Sequence, residues 1–453
     1  MLMHLRGTVM FKYLFFIIGL FLLQIYPDNR NLVRASDQLT LSESIRIALD
    51  KSTSVRAADH GVRGADYERK AARTDFFPKI STEHSYTRFN EDPYMKSPAG
   101  DFAPYPTEYK IGTKNRYQWN TYLTQPIFTG GALVSSYQIA KLGVDIAKES
   151  RDRARQDTVI QVKEAYFNIL KAGKLKAVAI QSVEQVKSHV DVARAFYEEQ
   201  MIPQNDLLEA EVRYAQVKQD LIRAENNVEI AQAQFNTVLR RNVNEPAVLE
   251  DILAYQSEQF SLEECQKEAL QKRPEMKEAT LRLTQAQKGV NLAKSKYFPT
   301  VSVVANYQKM GDSESLNGSP YEDDEMWTVS AVCRWDIWEW GKKSYQVSAS
   351  KSLAAQAEEQ QKQAGDIIAL EVKEAFLNVR ESEKNIFVAQ TAIKQAEENF
   401  RLNKELYNEQ MATSTDVLDA QTLLTQAQNN YYNALNDYHI SKAKLERAMG
   451  KEI

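Results

Sequence analysis

The sequence predicts a mainly α-helical fold with transmembrane β-strands: an internally duplicated α-barrel of long helices, with two β-hairpins per chain. Two observations predict this fold. A fourteen-residue motif occurs twice, as YEEQMIPQNDLLEA at 197–210 and as YNEQMATSTDVLDA at 407–420, with seven identical positions. Each copy also follows a proline-free segment of about 70 residues, whereas an average helix has about 11–12.

The duplication extends through most of the chain. VKEAYFN at 162–168 returns as VKEAFLN at 372–378, and FFPKIS at 76–81 returns as YFPTVS at 297–302. The spacing of the matched segments differs by 11 residues between the two copies, and an exposed loop tolerates such a difference best. Each copy is therefore expected to contain a loop of variable length in its middle.

Residues 1–35 are expected to lie outside the fold. An apolar run at Tyr13–Ile25 has the length of a signal-peptide core, and Val33–Ala35 fits a cleavage site before Ser36. The alternative is an uncleaved N-terminal anchor, and both interpretations imply export. We therefore divide the chain into a signal peptide at 1–35, a first repeat at 36–241, a linker at 242–260 and a second repeat at 261–453.

Composition argues against a nucleic-acid partner. Removal of residues 1–35 takes away four basic residues and one acidic residue and leaves a net charge of about −7, where a nucleic-acid-binding protein would have a basic face. The five histidines are scattered, and Cys265 and Cys333 have no metal-ligand spacing. We expect no enzyme, no metal and no cofactor.

Apolar residues in the long proline-free segments follow a heptad-like stripe. In the first repeat, the steps between Val183, Val186, Val190, Ala193 and Tyr197 alternate between three and four residues. A helix of about 70 residues would be about 105 Å long, which is typical of coiled coils and helical barrels. Helices are predicted at 42–51, 54–76, 131–202 and 205–241, and again at 262–272, 275–296, 342–410 and 415–448.

The two middle segments, Pro78–Gly131 and Pro299–Gly341, have a period of two and contain all five tryptophans. Their hairpin strands are predicted within about 79–128 and about 300–338. Alternation over about 10 residues with aromatic ends is typical of transmembrane strands, although a soluble hairpin domain would alternate in the same way. The residues expected to form an aromatic belt at the membrane surfaces are Trp119, Trp327, Trp335 and Trp338. Those expected to form the strand-to-helix turns are Gly130, Gly131 and Gly341.

Four strands form an open sheet with two unpaired edges. Lipid does not tolerate such edges, because each unsatisfied backbone group costs several kcal/mol there. Three chains would supply twelve strands and could close a barrel. The membrane interpretation therefore predicts a homotrimer with a 12-stranded β-barrel. The Pro- and Tyr-rich loop at 90–109 and the acidic loop at 311–325 suit a water-facing side.

This order of segments resembles the outer membrane efflux protein family, the TolC-type channels of Gram-negative bacteria. The resemblance rests on FFPKIS and QPIFTGG around the first hairpin, on YFPTVS and WDIWEWG around the second, and on DVLDA after the second tip. It implies a homotrimer in the cell outer membrane with a helical barrel in the periplasm. It also implies two partners, a periplasmic adaptor (membrane fusion protein) and an inner-membrane efflux pump or ABC transporter, for which the chain would be the exit duct.

The resemblance further implies functional residues at the periplasmic tip. Asp416 and Asp419, and Asp206 in the first repeat, match aspartates that line the pore entrance, where three copies would form carboxylate rings that select cations. Asp416 also fits a capping box with Thr413, so a purely structural role is an alternative. Tyr407 matches a tyrosine that holds the entrance closed, but Ala412 stands where the family has an arginine, which leaves the latch open to question.

Two other classes of protein contain long helices. A periplasmic adaptor would have one helical hairpin flanked by Gly-rich β-domains. A structural coiled-coil protein would have no use for aromatic hairpins. Neither class predicts two tandem copies that each contain their own strands.

Overall fold

The computed structural model describes residues 38–98 and 105–451, so the predicted signal peptide lies outside the described residues. Two series of elements follow one another along this part of the chain. The first series contains α1 (Leu41–Lys51), α2 (Thr53–Thr74), β1 (Lys79–Arg88), β2 (Tyr94–Ser97), β3 (Thr107–Lys110), β4 (Asn115–Phe128), α3 (Ala132–Glu198) and α4 (Gln204–Val238). The second contains α5 (Leu262–Lys272), α6 (Pro274–Ser295), β5 (Thr300–Gly311), β6 (Glu325–Arg334), α7 (Lys342–Asn408) and α8 (Ser414–Ala448).

The predicted duplication is visible in the helix lengths. The long helices α3 and α7 both have 67 residues, and α4 and α8 both have 35. The mainly helical, internally duplicated fold with one long β-hairpin in each half is therefore confirmed. No helix within the described ranges has both the length and the hydrophobicity needed to cross a membrane.

A short strand pair at 94–97 and 107–110 was not expected, because the proline-rich stretch 90–109 was interpreted as loop only. Strands β2 and β3 pair antiparallel there, from Tyr94 opposite Lys110 to Ser97 opposite Thr107. A cross-strand ion pair joins Lys96 and Glu108 at 3.1 Å. The short strands avoid the prolines, and this explains how the stretch forms a ladder despite its composition.

The four long strands form one antiparallel sheet in the order β1-β4-β5-β6. Its register separates the side chains into two faces, because successive residues of a strand point to opposite sides. One row across the sheet is Ile80, Leu123, Ala305 and Val329, and a row on the opposite side is Ser81, Tyr122, Asn306 and Thr328. We call these sides the apolar face and the polar face. Trp119 and Trp327 lie on the apolar face.

The central strand β4 contains a proline, which removes a backbone donor from the ladder. The pairing of β4 with β5 shifts register between Pro126 and Phe128, so the proline lies at an irregularity. Strands β1 and β6 are the two edges of the sheet, and neither has a partner on its outer side among the described strands.

The helices next to the sheet continue its strands in the same order. Helix α2 leads into β1, β4 leads into α3, α6 leads into β5, and β6 precedes α7. These helices pack as neighbours in the order α2-α3-α6-α7. The sheet and these four helices therefore form one continuous layer, in which each strand is followed or preceded by the helix at the same position. Helices α4 and α8 pack against α3 and α7 and reach the far end of the molecule.

Glycines with positive φ lie where the strands give way to the long helices. Gly131 and Gly341 are the N-caps of α3 and α7, with φ of 88° and 84°. Gly130 has φ of 61°, and the equivalent position of the second repeat is Trp340, with φ of 50°. A residue with a Cβ is strained in this conformation by about 1–2 kcal/mol.

Gly130 and Gly131 allow a matched test of this junction. A Cβ at Gly130 would lie 2.5 Å from the backbone oxygen of Ser295, whereas a Cβ at Gly131 would meet nothing within 4 Å. Gly131→Ala should therefore destabilise by about 1 kcal/mol from backbone strain alone. Gly130→Ala adds a backbone clash and should cost about 3 kcal/mol or more. Thermal unfolding of the detergent-purified variants measures both, and equal losses would contradict the packing at Gly130.

Candidate functional site

The two copies of the repeated motif form two helix tips with the same backbone geometry. Gln200 and Gln410, at the ends of α3 and α7, both have φ of 58°. The N–H of Met201 donates to the Phe196 carbonyl at 2.8 Å, and Met411 repeats this bond with Leu406 at 2.7 Å. This is the Schellman pattern, which satisfies the last carbonyls of a helix before the chain reverses.

Asp416 caps helix α8 together with Thr413. The backbone N–H and the hydroxyl of Thr413 donate to Asp416 Oδ2 at 2.8 and 2.6 Å, and Asp416 N–H donates back to Thr413 Oγ1 at 3.3 Å. Hydrogen bonds from Thr413 hold the pKa of the exposed Asp416 carboxyl below its ordinary value. The capping role and a solvent-facing negative charge are thus both present in the same side chain.

The other predicted tip carboxylates lie at the same end of the molecule. Asp419 is exposed one turn after the cap, and Asp206 is half-exposed in the first turn of α4. The hydroxyl of Thr415, at the start of α8, donates to Glu209 of α4 at 3.2 Å, which brings the two tips side by side. Glu209 adds a carboxylate that the sequence analysis did not single out.

Tyr407 lies inside the tip rather than on its surface. Its side chain is 3% exposed, and its ring packs against His189 and Phe196 at centroid distances of 4.7 and 5.6 Å. Its buried hydroxyl has no hydrogen-bond partner among the described residues. Burial, followed by the charge of Asp206, raises the pKa of this hydroxyl. The equivalent residue of the first repeat, Tyr197, is 38% exposed.

Two buried polar pairs that the sequence analysis missed join the repeats behind the tip. His189 Nε2 lies 2.8 Å from the hydroxyl of Ser414, and Gln421 Nε2 donates to the hydroxyl of Ser182 at 2.7 Å. The partners are one heptad apart on both α3 and α8, as expected for two antiparallel helices in register. That spacing was the available signal, but it identifies a pair only when the facing helix is known.

Burial gives His189 an unusual pKa. The residue is 7% exposed, and desolvation together with the nearby charge of Lys404 lowers its pKa from 6.5 to about 4. The imidazole is therefore neutral at neutral pH, in the form that can share one hydrogen bond with Ser414. Protonation of this histidine in the folded state would place a positive charge against the ring of Tyr407 and near the charge of Lys404.

The predicted belt tryptophans are all exposed, and they lie at two levels. Trp119 and Trp327 lie within strands near the hairpin loops. Trp335 and Trp338 lie beyond the end of β6 at Arg334, so the prediction that strand structure extends to about 338 was wrong for this segment. Trp335 instead anchors its indole N–H on the Tyr297 carbonyl at 3.1 Å. The chain turns into α7 soon after β6, so the pairing of β6 with β5 ends at Arg334, before the tryptophan-rich stretch ends.

No cluster of three or more metal-binding side chains occurs in the part of the chain that the structure describes.

The burial of His189 predicts a pH-dependent tip. The unfolded chain binds a proton at this residue near pH 6.5, whereas the folded chain does so near pH 4. The stability that depends on a neutral His189 is therefore fully present above pH 6.5. It is lost as the pH falls toward 4, by at most about 3 kcal/mol of the free energy of unfolding. The unfolding temperature should fall on acidification, and His189→Gln should reduce that fall. His60→Gln, at an exposed site on α2, is the control. Identical pH profiles for His189→Gln and wild type would contradict this account.

Comparisons with known proteins agree with this architecture. The family model described as "Outer membrane efflux protein" matches residues 44–239 and 266–451. The chain is 23% identical to outer membrane protein TolC of Escherichia coli (strain K12) over 310 residues, which are 65% of this chain and 62% of that protein. It is 22% identical to protein CyaE of Bordetella pertussis over 289 residues, 62% of this chain and 57% of that protein. The alignments thus span less than two thirds of these relatives.

Solved structures share the fold over more of the chain. The Campylobacter jejuni CmeC outer membrane channel has a TM-score of 0.75 at 16% identity, and the match covers 90% of this chain and 85% of that one. A structure of CusC has a TM-score of 0.77 at 15% identity and covers 91% and 92%. Because the family model matches most of the chain, in two segments, the chain belongs to the outer membrane efflux protein family, whose members are non-enzymatic proteins of the outer membrane with a periplasmic helical barrel.

Proposed function

We propose that three copies of this chain form an exit duct, a channel that passively conducts substrates across the outer membrane from an inner-membrane pump. The observation that carries this proposal is the four-stranded sheet. It has an apolar face, a polar face and two unpaired edges in the same chain. A sheet of this kind fits lipid on one side and water on the other, provided that its edges are paired.

Pairing between identical chains satisfies the edges. The outer side of β6 in one protomer would pair with β1 of the next, and three protomers would supply twelve strands. A closed ring of identical contacts needs no further component, which makes a C3 trimer the simplest solution. The polar face then lines the lumen, and the apolar face meets the lipid.

The exposed tryptophans fit the two surfaces of a membrane. Trp327 lies near the loop end of β6, and Trp335 follows the other end of this strand. Eight residues of extended chain span about 26 Å along the strand, and a strand tilt of about 40° reduces this to a height of about 20 Å, within about 5 Å of the apolar band of outer-membrane barrels. Trp119 joins Trp327 at the loop end, and Trp338 joins Trp335 at the helix end. Indole rings prefer these interfacial positions.

The helical layer continues the tube on the periplasmic side. Helices α3 and α7, with 67 residues each, are about 100 Å long. The tips at their far ends present Asp416 and Asp419 to solvent, and three copies would form carboxylate rings at the entrance. Asp206 and Glu209 lie beside these rings on the first-repeat tip. Such rings attract cations and repel anions.

A closed entrance in this chain depends on contacts within the tip. Ala412 provides no cation for a latch, and the hydroxyl of Tyr407 has no hydrogen-bond partner among the described residues. The run Thr413–Thr415 takes this role instead: Thr413 fixes the start of α8 through its cap with Asp416, and two contacts join α8 to other helices, Ser414 with His189 of α3 and Thr415 with Glu209 of α4. The tip helices open by an iris-like movement that separates the two contacts between helices.

The partners follow from family membership and from the direction of transport. A duct without an energy source requires a pump in the inner membrane, either an efflux pump or an ABC transporter, and a periplasmic adaptor that joins it to the tips. This arrangement is a tripartite efflux or type I secretion system. A free adaptor or a purely structural coiled coil would not need a sheet with one apolar and one polar face.

Single-channel recording on the reconstituted protein tests the function and the role of the tip carboxylates. The wild type should form ion-conducting channels that divalent cations block from the tip side. Asp419→Asn should weaken this block by roughly 100-fold, since each lost charge at a water-facing site is worth about 1 kcal/mol, three are lost per trimer, and about 1.4 kcal/mol corresponds to a factor of ten. Asp437→Asn, at an exposed position further along α8, is the matched control. Absence of channels would contradict the duct, and equal block in all three proteins would contradict the ring.

A further inference from the structure

A cavity of about 530 Å³ lies where the strands become helices, between the start of α3, the end of α6 and the start of α7. Six charged side chains line it. Four are basic and two are acidic, namely Lys296, Arg334, Lys342, Lys343, Asp336 and Glu339. The cavity therefore has an excess of positive charge, which distinguishes it from the acidic tips.

The acidic residues do not neutralise this excess. Glu339 accepts ion pairs from Lys342 at 3.4 Å and Lys343 at 3.8 Å. Lys296 contacts a neutral group, the side-chain oxygen of Gln346, at 3.1 Å. Arg334 is exposed and has no ion pair within 4.0 Å among the described residues. The first turn of α7, which borders the cavity, contains no acidic residue, so the positive end of the helix dipole adds to the field.

The register of the sheet determines the side on which the cavity lies. Arg334 and its cross-strand neighbour Thr300 both line the cavity, and both belong to the polar face. The exposed residues Trp335, Ile337 and Trp338 do not line it. Charged and aromatic residues in this segment thus separate to opposite sides. In the proposed trimer the cavity faces the lumen, at the throat between barrel and helical tube.

We propose that this cavity is a binding site for anionic groups, carboxylates or phosphates, of solutes that pass through the lumen. The inference rests on the proposed channel and adds a substrate class to it. Three copies form a ring of cavities whose cations raise the local concentration of anions. The channel then has a cation-attracting entrance at the tips and an anion-binding throat at the membrane.

Selectivity measurements test the throat. Reversal potentials in a potassium chloride gradient give the ratio of chloride to potassium permeability. The double variant Lys296→Gln/Arg334→Gln removes the two cations that have no carboxylate partner. The ratio should fall about threefold or more, the factor that corresponds to a change of about one kT in local potential. Arg334→Lys keeps the charge and should leave the ratio unchanged. Lys309→Gln removes a cation from the apolar face and should also leave it unchanged.

The outcomes separate the inference from the proposed function. Wild-type protein that forms no channels would overturn the duct and the anion site together. Channels whose permeability ratio is the same in the double variant and in the wild type would overturn the anion site alone. The measurement is repeated in bilayers with and without anionic phospholipid. A change that occurs only with anionic lipid would assign the cavity to lipid headgroups and overturn the lumenal site.

Discussion

Backbone hydrogen bonding at the two edges of one small sheet is the constraint on which the rest of the structure depends. Strands β1 and β6 each present a row of N–H and C=O groups that no described segment of the same chain pairs. In water such edges cost little, but in lipid each unsatisfied group costs several kcal/mol. An apolar face on the same sheet requires lipid or an equivalent apolar partner. The two requirements are compatible only when the edges meet other strands.

The strand order then determines the helical part. Because α2, α3, α6 and α7 follow the same order as the strands to which they connect, closing the sheet in the proposed trimer would also close the helical layer into a tube. The duplication supplies each element of the layer twice. Polar side chains on one face of the sheet continue into a cationic cavity at the junction, and carboxylates lie at the far tips. Charge therefore changes sign along the lumen of the proposed trimer.

Local sequence patterns predicted the helices and strands well, but they could not predict contacts between distant segments of the chain. The absence of proline and the heptad stripe located α3 and α7 to within a few residues, and the alternation around Trp119 and Trp327 located β4 and β6. The pairing of His189 with Ser414 could not be predicted, because it depends on the register between α3 and α8. The end of β6 at Arg334 was also missed. Alternating aromatic residues continue past this point although the backbone has already left the ladder.

Amide hydrogen exchange of the purified protein in detergent tests the central claim most directly. Strands β4 and β5 are paired on both sides within one chain, so their amides serve as an internal reference. If identical neighbours seal the sheet, the outward amides of β1 and β6 should be protected to a similar degree as those of β4 and β5. Rapid exchange confined to the outer sides of β1 and β6 would mean that the edges are open, and the closed tube would then be wrong.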